Sequence, residues 1–545
     1  MRNLFRPPAE ALTHDLEAAL KAIIDTTPLS RPHAKELPFA VRDLSRLLTQ
    51  DRSLLSASYW INKRLLTAYC RYFLPWNLVR LSWMLPGLTL PLEENASILD
   101  LGSGPLTLPL ALWLAKPEWR AMPLTVICCD VAPGPLHLGR DIFHRLAPDS
   151  PWKIETVRAP LEKALREFSG KAALITAGNV LNEVRPSREN PLQARLASLT
   201  RLIASRLAPG GRFLAIEPGT RLGGKLMALT RQAAFAARLV PEAPCPHWGP
   251  CPMLAERATG WCHFSHIAAA APKTLKELTK RAGLEKDTLS LSCMLLRPAT
   301  DEETRRAEAC LPTLAPDNFP DEFSDDDGFF DEDDLMNGDD AAESGIDAWA
   351  EAFAASGPSA DANVPDFGRV LSDPIRLPDA EEPARYACSV KGILLALNAL
   401  RLPSGAAFPV RWPERPTRDA KSGALVVDAP STKRPGEKPA QKSAPTAAAT
   451  SRDGSGRNAE RGKPQRKGRE NNEKGPRGNA SETPRGKDRH NERGGRPPAP
   501  PREEKPSAPP KERRPGPVRK DNRPLSSRKT GRPASSPKKG GSRER

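Results

Sequence analysis

The feature that most constrains the fold of this chain is an alternation of short apolar strands with helix-forming segments between residues 97 and 217. The strands are predicted at 97–101, 124–130, 153–157, 172–177 and 212–217. Helical stretches such as 106–114 and 192–207 separate them, and a Pro-Gly-Gly sequence at 209–211 predicts a stop before the fifth strand. This alternation is typical of a parallel sheet covered by helices, so the predicted fold class is α/β.

The first strand runs into a glycine loop that predicts a nucleoside-binding site. Asp100 lies near the end of the strand and is followed by Gly102 and Gly104, and glycines at such a turn let a ligand approach the backbone closely. A dinucleotide fingerprint would place another glycine at Thr107, so NAD is disfavoured relative to a smaller nucleoside. An acidic residue before the glycines and a second one, Asp130, at the end of the second strand form the arrangement that S-adenosylmethionine-dependent enzymes use. Asp100, Gly102, Gly104 and Asp130 are therefore the predicted cofactor-binding residues, and a tight turn without a ligand is the alternative.

The residues after the fourth strand face the position where methyl transfer would occur. Asn182 and Glu183 fit two interpretations there, the orientation of a substrate base or the capping of the following loop. The Asp/Asn-Pro-Pro-aromatic signature of exocyclic amine methylation is absent from the chain. The sequence therefore assigns no catalytic residue.

A cluster of cysteines, histidines and prolines between residues 244 and 264 is the most specific feature of the chain. Its thiols are Cys245, Cys251 and Cys262, with five and ten residues between them. Proline and glycine rigidify the intervening turns, so ligands can converge without helical backbone between them, as a metal site requires. A nucleophilic role for Cys245, as in RNA cytosine-5 methyltransferases, is disfavoured because its Pro-Cys pair does not directly follow the fourth strand.

The spacing leaves the metal and the fourth ligand open. Zinc sites usually contain closer cysteine pairs, whereas iron–sulfur clusters tolerate irregular spacing and a distant fourth ligand, so the spacing favours iron–sulfur modestly. A fourth thiolate is available at Cys293 or at Cys388. Three histidines, His247, His263 and His266, are the candidates to complete a zinc site.

Composition divides the rest of the chain. Fourteen acidic residues and no Lys or Arg occur between residues 317 and 347, which predicts a disordered acidic insertion. The residues after 428 are low-complexity Pro, Gly, Ser, Lys and Arg, which also predicts disorder. The predicted parts are a helical N-terminal region at 1–90, a sheet domain at 91–300 with a Cys-rich segment at 241–267, the insertion at 301–365, a small β-rich unit at 366–428 and the tail at 429–545.

The positive charge of the chain lies in the tail. The net charge is +16, but residues 431–545 carry 33 basic and 13 acidic side chains, whereas residues 1–430 carry 49 and 53. Arg493-Gly494-Gly495-Arg496 resembles an RGG-type element, so we expect the tail to bind RNA phosphates. No apolar run approaches the roughly 18 residues of a membrane span, and the N-terminus has neither a signal core nor a transit-peptide composition, which favours a cytoplasmic location without membrane contact.

Taken with these motifs, the sequence resembles the methyltransferase-like small-ribosomal-subunit assembly factors, a family known from mitochondria and also found in bacteria. The resemblance extends over seven segments. They are Ala68-Tyr69, Tyr72-Phe73-Leu74-Pro75-Trp76-Asn77, residues 99–105, residues 179–183, Glu217-Pro218-Gly219, residues 244–264 and residues 369–392. The resemblance implies a class I S-adenosylmethionine-dependent methyltransferase fold, which is Rossmann-like.

The resemblance also implies a metal centre and a partner. A 4Fe-4S cluster would be held by Cys245, Cys251, Cys262 and Cys388, and the partner would be small-subunit ribosomal RNA during assembly. The leading hypothesis is therefore an iron–sulfur, S-adenosylmethionine-binding protein that assists small-subunit assembly or translation. An active S-adenosylmethionine-dependent RNA methyltransferase is the first alternative, and a zinc-stabilised RNA-binding module with a vestigial cofactor pocket is the second.

Overall fold

The structure is a computed structural model that describes residues 3–50, 60–184, 191–255, 260–310, 366–371, 373–377 and 382–430. All of these residues belong to one compact unit, residues 1–441. Most of the predicted acidic insertion and the predicted tail after residue 430 lie outside the described residues. Within the described ranges, no helix combines the length and the apolar content that crossing a bilayer requires. The cytoplasmic location stays a prediction.

The N-terminal region is helical, as predicted, with bounds that exceed the predicted ones. It contains α1 (Glu10–Thr26), α2 (Arg31–Thr49), α3 (Lys63–Ala68) and α4 (Leu74–Met84). The sequence predicts that Pro75 interrupts the helical pattern, but a π-helical turn at Tyr69–Phe73 joins α3 to α4 and places Pro75 in the first turn of α4. At that position the N–H that proline lacks is not needed by the helix.

The main sheet has the doubly wound order β3-β2-β1-β4-β5-β8-β6, with β7 paired to β8. The first five strands are parallel, and β8 runs antiparallel to β5, β6 and β7. The strands are β1 (Ser97–Leu101), β2 (Thr125–Asp130), β3 (Lys153–Arg158), β4 (Ala172–Gly178), β5 (Leu207–Pro218), β6 (Leu239–Ala243), β7 (Phe264–Ile267) and β8 (Thr288–Pro298). The strand order reverses between β1 and β4, and their carboxyl ends form the crevice where ligands bind in such sheets.

Helices connect these strands and cover both faces of the sheet. They are α5 (Thr107–Ala115), α6 (Pro133–Leu146), α7 (Leu161–Glu167), α8 (Leu192–Arg206), α9 (Arg221–Ala236), α10 (Lys273–Ala282) and α11 (Asp301–Cys310). Two separate apolar cores result, one with the N-terminal helices and one with α8 and α9. α10 ends where Gly283 adopts the left-handed conformation that glycine tolerates, and its N–H bonds the carbonyl of Lys280.

Three local predictions differ from the structure. The Pro-Gly-Gly sequence at 209–211 does not precede β5 but lies inside it, where the register with β4 shifts between Ala172 and Leu174. The sequence also predicts a helix at 222–239, but α9 ends at Ala236, because the chain turns at Arg238, whose φ is positive, and enters β6. The first ten residues of the predicted disordered insertion form α11, which Arg297 anchors through an ion pair with Glu303.

The C-terminal unit is a five-stranded sheet in the order β12-β9-β10-β11-β13. Its strands are β9 (Phe367–Val370), β10 (Arg385–Ser389), β11 (Gly392–Leu397), β12 (Ala407–Pro409) and β13 (Leu425–Asp428). The extended N-terminus reaches this unit, because Leu4 donates its N–H to the carbonyl of Gly405. The ring of Phe5 occupies the space beside Gly405 and packs on Phe264 of the main sheet. The two sheets therefore share a packed junction.

Candidate functional site

The glycine loop after β1 is held in a fixed shape by the strands on either side of it. The Ser103 hydroxyl donates to the carbonyl of Asp100 at 2.9 Å, and the Ser103 N–H donates to the carbonyl of Cys129 at 2.9 Å. Gly102 has φ +66°, and a Cβ there would lie 2.4 Å from the side chain of Val180. Only glycine satisfies both the conformation and the packing at this position. The loop is therefore a preformed cradle at the crevice.

Asp130 closes the cradle from the end of β2. Its carboxylate accepts hydrogen bonds from the N–H groups of Gly104 and Ala132, both at 2.9 Å. Burial raises the pKa of Asp130, and these backbone donors act in the opposite direction. An ionised carboxylate has about four acceptor sites, so two of them remain for the hydroxyls of a ligand.

Asp100 is buried beneath the loop. Its side chain accepts a hydrogen bond from the Thr176 hydroxyl at 2.5 Å, whereas its second oxygen is buried without a partner among the described residues. Burial raises the pKa of Asp100 to about 7. At the end of β4 the amide oxygen of Asn179 is likewise buried without a described partner. The crevice therefore presents two unsatisfied acceptors, which fit a ligand that carries a donor such as an ammonium group.

Asn182 is engaged by a buried carboxylate that the sequence analysis did not identify as part of the site. Glu217, at the end of β5, is fully buried and accepts hydrogen bonds from the N–H of Leu181 at 2.8 Å and from the side-chain amide of Asn182 at 2.5 Å. This geometry favours the loop-holding interpretation of Asn182. The available signal was an acidic residue at the end of an otherwise apolar strand.

The N-terminal helices close one side of the crevice, which the sequence did not indicate. The ring of Trp60 lies 3.7 Å from where a Cβ on Gly104 would be and stacks edge-on against Tyr69, with 4.8 Å between the ring centroids. A cavity of about 10 Å³ lies next to it and is lined in part by Arg80 and Asn179. The Nε atom of Arg80 is buried without a described partner. These helices belong to the site as well as to the core.

The four predicted metal-ligating cysteines line one cavity of about 20 Å³ at the junction of the two sheets. Cys245 follows β6, Cys251 precedes a 3₁₀ turn, Cys262 precedes β7, and Cys388 lies on β10 of the C-terminal sheet. The remaining lining residues are Ala228, Arg231, Pro244, Pro246, His247, Met253, Phe264, Met294, Arg369 and Leu371. The structure thus brings together side chains that lie up to 143 residues apart in the sequence.

Of the other candidate ligands for this site, one cysteine and three histidines, only one histidine lines the cavity. Cys293 is buried on β8 and does not line the cavity. Of the three histidines, only His247 lines it, with Nε2 at 3.5 Å from the sulfur of Cys388. His263 stacks on Trp261, and His266 packs against Phe5 and Trp83. Burial and the neighbouring Arg231 lower the pKa of His247 to about 3, so its imidazole is neutral.

The cavity is electrostatically unusual, because two buried arginines and no described carboxylate line it together with the thiols. Burial raises the pKa of Cys251, Cys262 and Cys388, and repulsion between neighbouring thiolates adds to this effect. Arg231 and Arg369 both line the cavity, and no described lining residue is acidic. Within the described ranges, no three His, Cys, Asp or Glu side chains converge closely enough to hold a single metal ion. The thiols therefore face a common space without meeting at one point.

Comparison with known proteins identifies one family. Residues 68–290 match the family described as mitochondrial small ribosomal subunit Rsm22. This match confirms the resemblance found in the sequence. No curated protein shows a significant match to the chain.

Three solved methyltransferases align with part of the chain. Precorrin-6y C5,15-methyltransferase from Geobacter metallireducens GS-15 is 10% identical over 46% of this chain and 96% of its own, with a TM-score of 0.25. TrmN from Thermus thermophilus is 22% identical over 29% and 44%, with a TM-score of 0.21. Geranyl diphosphate C-methyltransferase from Streptomyces coelicolor A3(2), solved with Mg²⁺, geranyl diphosphate and S-adenosyl-L-homocysteine, is 12% identical over 38% and 75%, with a TM-score of 0.23. The strand order and the antiparallel β8 are those of a class I methyltransferase, so the predicted fold class is confirmed.

The burial of Asp100 predicts a pH-dependent stability. Its pKa rises from 3.8 to about 7 on folding, so between these pH values the native protein keeps a proton that the unfolded chain releases. As the pH rises from about 4 to about 7, the free energy of unfolding of the wild type should therefore fall relative to that of Asp100→Asn, because the asparagine side chain does not titrate. We expect the variant to gain at most about 2–3 kcal/mol over the wild type between pH 5 and pH 8.

Urea unfolding of both proteins at the two pH values measures this difference. Asp149→Asn, in the exposed loop after α6, is the matched control and should behave like the wild type at both pH values. A gain for Asp100→Asn that is equal at pH 5 and pH 8, or smaller at pH 8, would contradict the prediction.

Proposed function

We propose that this chain, whose residues 68–290 match the family described as mitochondrial small ribosomal subunit Rsm22, is an iron–sulfur protein of methyltransferase fold that binds S-adenosylmethionine and small-subunit ribosomal RNA. In this role it assists assembly or translation of the small subunit. The observation that carries the proposal is the arrangement of Cys245, Cys251, Cys262 and Cys388 around one cavity at the junction of the two sheets.

The donor set of the cavity fits a thiolate-bound metal centre. Soft thiolate ligands select iron–sulfur clusters and zinc, and the cavity offers four thiols, one neutral imidazole and no carboxylate. All four cysteines are free thiols, so none is committed to a disulfide. Three of the side chains lie in the connection between β6 and β7 of the main sheet, and Cys388 lies on β10 of the C-terminal sheet. A metal centre bound by them would cross-link the sheets, and its binding free energy would become folding free energy.

The spacing of the thiols favours a cluster over a single zinc ion. Structural zinc sites usually contain closely spaced cysteine pairs, whereas Cys245, Cys251 and Cys262 have five and ten residues between them and Cys388 lies on the other sheet. Iron–sulfur clusters tolerate irregular spacing and a distant fourth ligand.

Cysteine substitution tests the proposed centre. We expect Cys251→Ser and Cys388→Ser to abolish the brown iron–sulfur absorbance and to reduce the iron content several-fold, because each removes one of four ligands. Metal analysis and absorbance spectra after anaerobic purification provide the measurement. Loss of iron should also increase proteolysis of the C-terminal sheet, which depends on Cys388 for its link to the centre.

Cys293→Ala is the matched control for these variants. It removes a buried thiol near the cavity that does not line it, so iron content should remain at the wild-type level. Unchanged iron in both Cys251→Ser and Cys388→Ser would refute the cluster. Stoichiometric zinc with no iron in the wild-type protein would favour the zinc-stabilised module instead.

The crevice between β1 and β4 supports the cofactor part of the proposal. The glycine loop is preformed, and Asp130 retains acceptor capacity at the position where a ribose would lie. The unpaired oxygens of Asp100 and Asn179 fit the ammonium group of S-adenosylmethionine, since burying an acceptor without a donor is unfavourable. Bound there, S-adenosylmethionine would supply an electrophilic methyl group. The chain's own contribution is to bind and orient the cofactor.

Removal of the Asp130 carboxylate tests the crevice. We expect Asp130→Ala to weaken S-adenosylmethionine binding at least about tenfold, because it removes both the ribose acceptor and the bond that fixes Gly104. Isothermal titration calorimetry measures this affinity, with the exposed Asp149→Ala as control. Wild-type protein that binds no S-adenosylmethionine would count against the cofactor. Methyl transfer from a labelled cofactor to small-subunit RNA would instead establish the active methyltransferase alternative.

The RNA part of the proposal is supported by the family description and by the charge of the tail. Residues 431–545 carry an excess of 20 positive charges, whereas the preceding residues are slightly acidic overall. Contacts between such a segment and RNA phosphates release counterions, so binding should weaken steeply with salt and show little sequence preference. The sequence therefore assigns the general RNA affinity to the tail.

Truncation of the tail tests this assignment. We expect a chain that ends at residue 430 to bind small-subunit RNA at least about tenfold more weakly at low salt and with a shallower dependence on salt concentration. Filter binding or fluorescence anisotropy at several salt concentrations provides both quantities. Identical affinities and salt slopes for the two chains would show that the tail does not contribute.

A further inference from the structure

Arg231 is a buried cation that stacks on Phe235 of its own helix and donates hydrogen bonds to the cysteine segment. It lies on α9 with 2% of its surface exposed, and its guanidinium donates to the carbonyls of His247 at 3.1 Å and Gly249 at 2.6 Å. Both carbonyls lie in the loop between Cys245 and Cys251. The Arg231 side chain lines the same cavity as the four cysteines. Arginines are almost never this buried without an anionic partner.

Arg369 reaches the same cavity from the C-terminal sheet. It lies on β9 with 4% of its surface exposed, and it donates to the carbonyls of Pro244 at 2.9 Å and Gly405 at 2.7 Å. The first carbonyl belongs to the residue before Cys245, and the second belongs to the C-terminal unit. Arg369 therefore joins the two sheets directly while its charge faces the thiols.

Ionised thiols bound to a dication would balance the charges of the two arginines that line the cavity. Four thiolates with a zinc ion, or with an oxidised 4Fe-4S cluster, leave two negative charges. Two guanidinium groups supply two positive charges, and no described acidic residue lines the cavity. A buried centre with two uncompensated negative charges would carry a large desolvation cost. The two arginines remove that cost.

We propose that Arg231 and Arg369 are the charge-compensating and positioning residues of a four-thiolate metal centre. This inference rests on the proposed function, because it requires the centre. Their guanidinium groups neutralise the thiolates, and their hydrogen bonds to the carbonyls of Pro244, His247 and Gly249 fix the loop that carries Cys245 and Cys251. Positive charge beside a cluster also favours the reduced form of the cluster. The two arginines therefore raise its midpoint potential above that of the same cluster without them.

The test compares neutral and charge-conserving substitutions in the full chain, purified anaerobically. Arg231→Gln, Arg231→Met, Arg369→Gln and Arg369→Met remove the charge, whereas Arg231→Lys and Arg369→Lys retain it. The exposed Arg201→Gln on α8 is the matched control. The two readouts are the midpoint potential, from a spectroscopic redox titration, and the rate of iron loss to a chelator.

We expect the neutral variants to shift the potential to more negative values and to lose iron about 10- to 100-fold faster than the wild type. The lysine variants and Arg201→Gln should keep a potential close to that of the wild type. If no neutral variant retains metal, retention by the lysine variants still supports the charge requirement. Lysine variants that behave like the neutral ones would overturn the proposal, because only the shape of arginine would then matter.

The outcomes separate this inference from the function on which it rests. A wild-type protein that contains a cluster, together with neutral variants of unchanged potential and iron retention, overturns the role of the arginines alone. A wild-type protein that binds no metal overturns the cluster and the arginine pair together.

Discussion

The junction of the two sheets brings four part-buried thiols against two buried guanidinium groups. A guanidinium charge is unfavourable in a low-dielectric interior without an anion, and ionised thiols would supply that anion. Arg369 links the junction to the C-terminal sheet, and Arg231 links it to α9. The packing of Phe5 beside Gly405 adds an apolar contact that needs no metal. The junction therefore combines a permanent apolar part with a part that depends on charge.

The crevice and the cysteine cavity are joined by a short series of direct contacts. Glu217 holds the loop after β4 by bonding Asn182, and the chain then turns at Gly219 into α9. The indole of Trp261, the residue before Cys262, donates to the carbonyl of Gly219 at 2.8 Å. A Cβ on Gly224 would lie 2.8 Å from the same indole, so α9 can approach the cysteine segment only through a glycine. A displacement of the cysteine segment would thus be transmitted to the end of β5 through the direct contacts of Trp261.

The strands could be predicted from local sequence patterns, whereas side chains whose roles depend on contacts with distant residues could not. The bounds of β1 to β4 were predicted to within one residue, because buried strands and glycine turns have a local periodicity. Pro75 was predicted to interrupt the helix because proline is generally unfavourable inside helices, and that generalisation takes no account of the π-helical turn that precedes Pro75. Glu217 had only the weak signal of an acidic residue at the end of an apolar strand. Arg231 and Arg369 carry no local signal, since their hydrogen bonds are to residues distant in the sequence. The choice of Cys388 over Cys293 likewise came from the family resemblance, whereas the spacing had left both open.

The position of Cys388 explains how a long insertion can be accommodated. Residues 311–365 separate α11 from β9, and the cost of closing a loop grows only logarithmically with its length. The C-terminal sheet has roughly 60 residues, a size at which an isolated core is marginal. A cross-link between Cys262 and Cys388 would close a loop of more than 100 residues, which removes about 4–5 kcal/mol of chain entropy from the unfolded state on the disulfide scale. As the proposed ligand beyond the insertion, Cys388 would therefore contribute most to holding the second sheet, because the three other proposed ligands already lie in one domain.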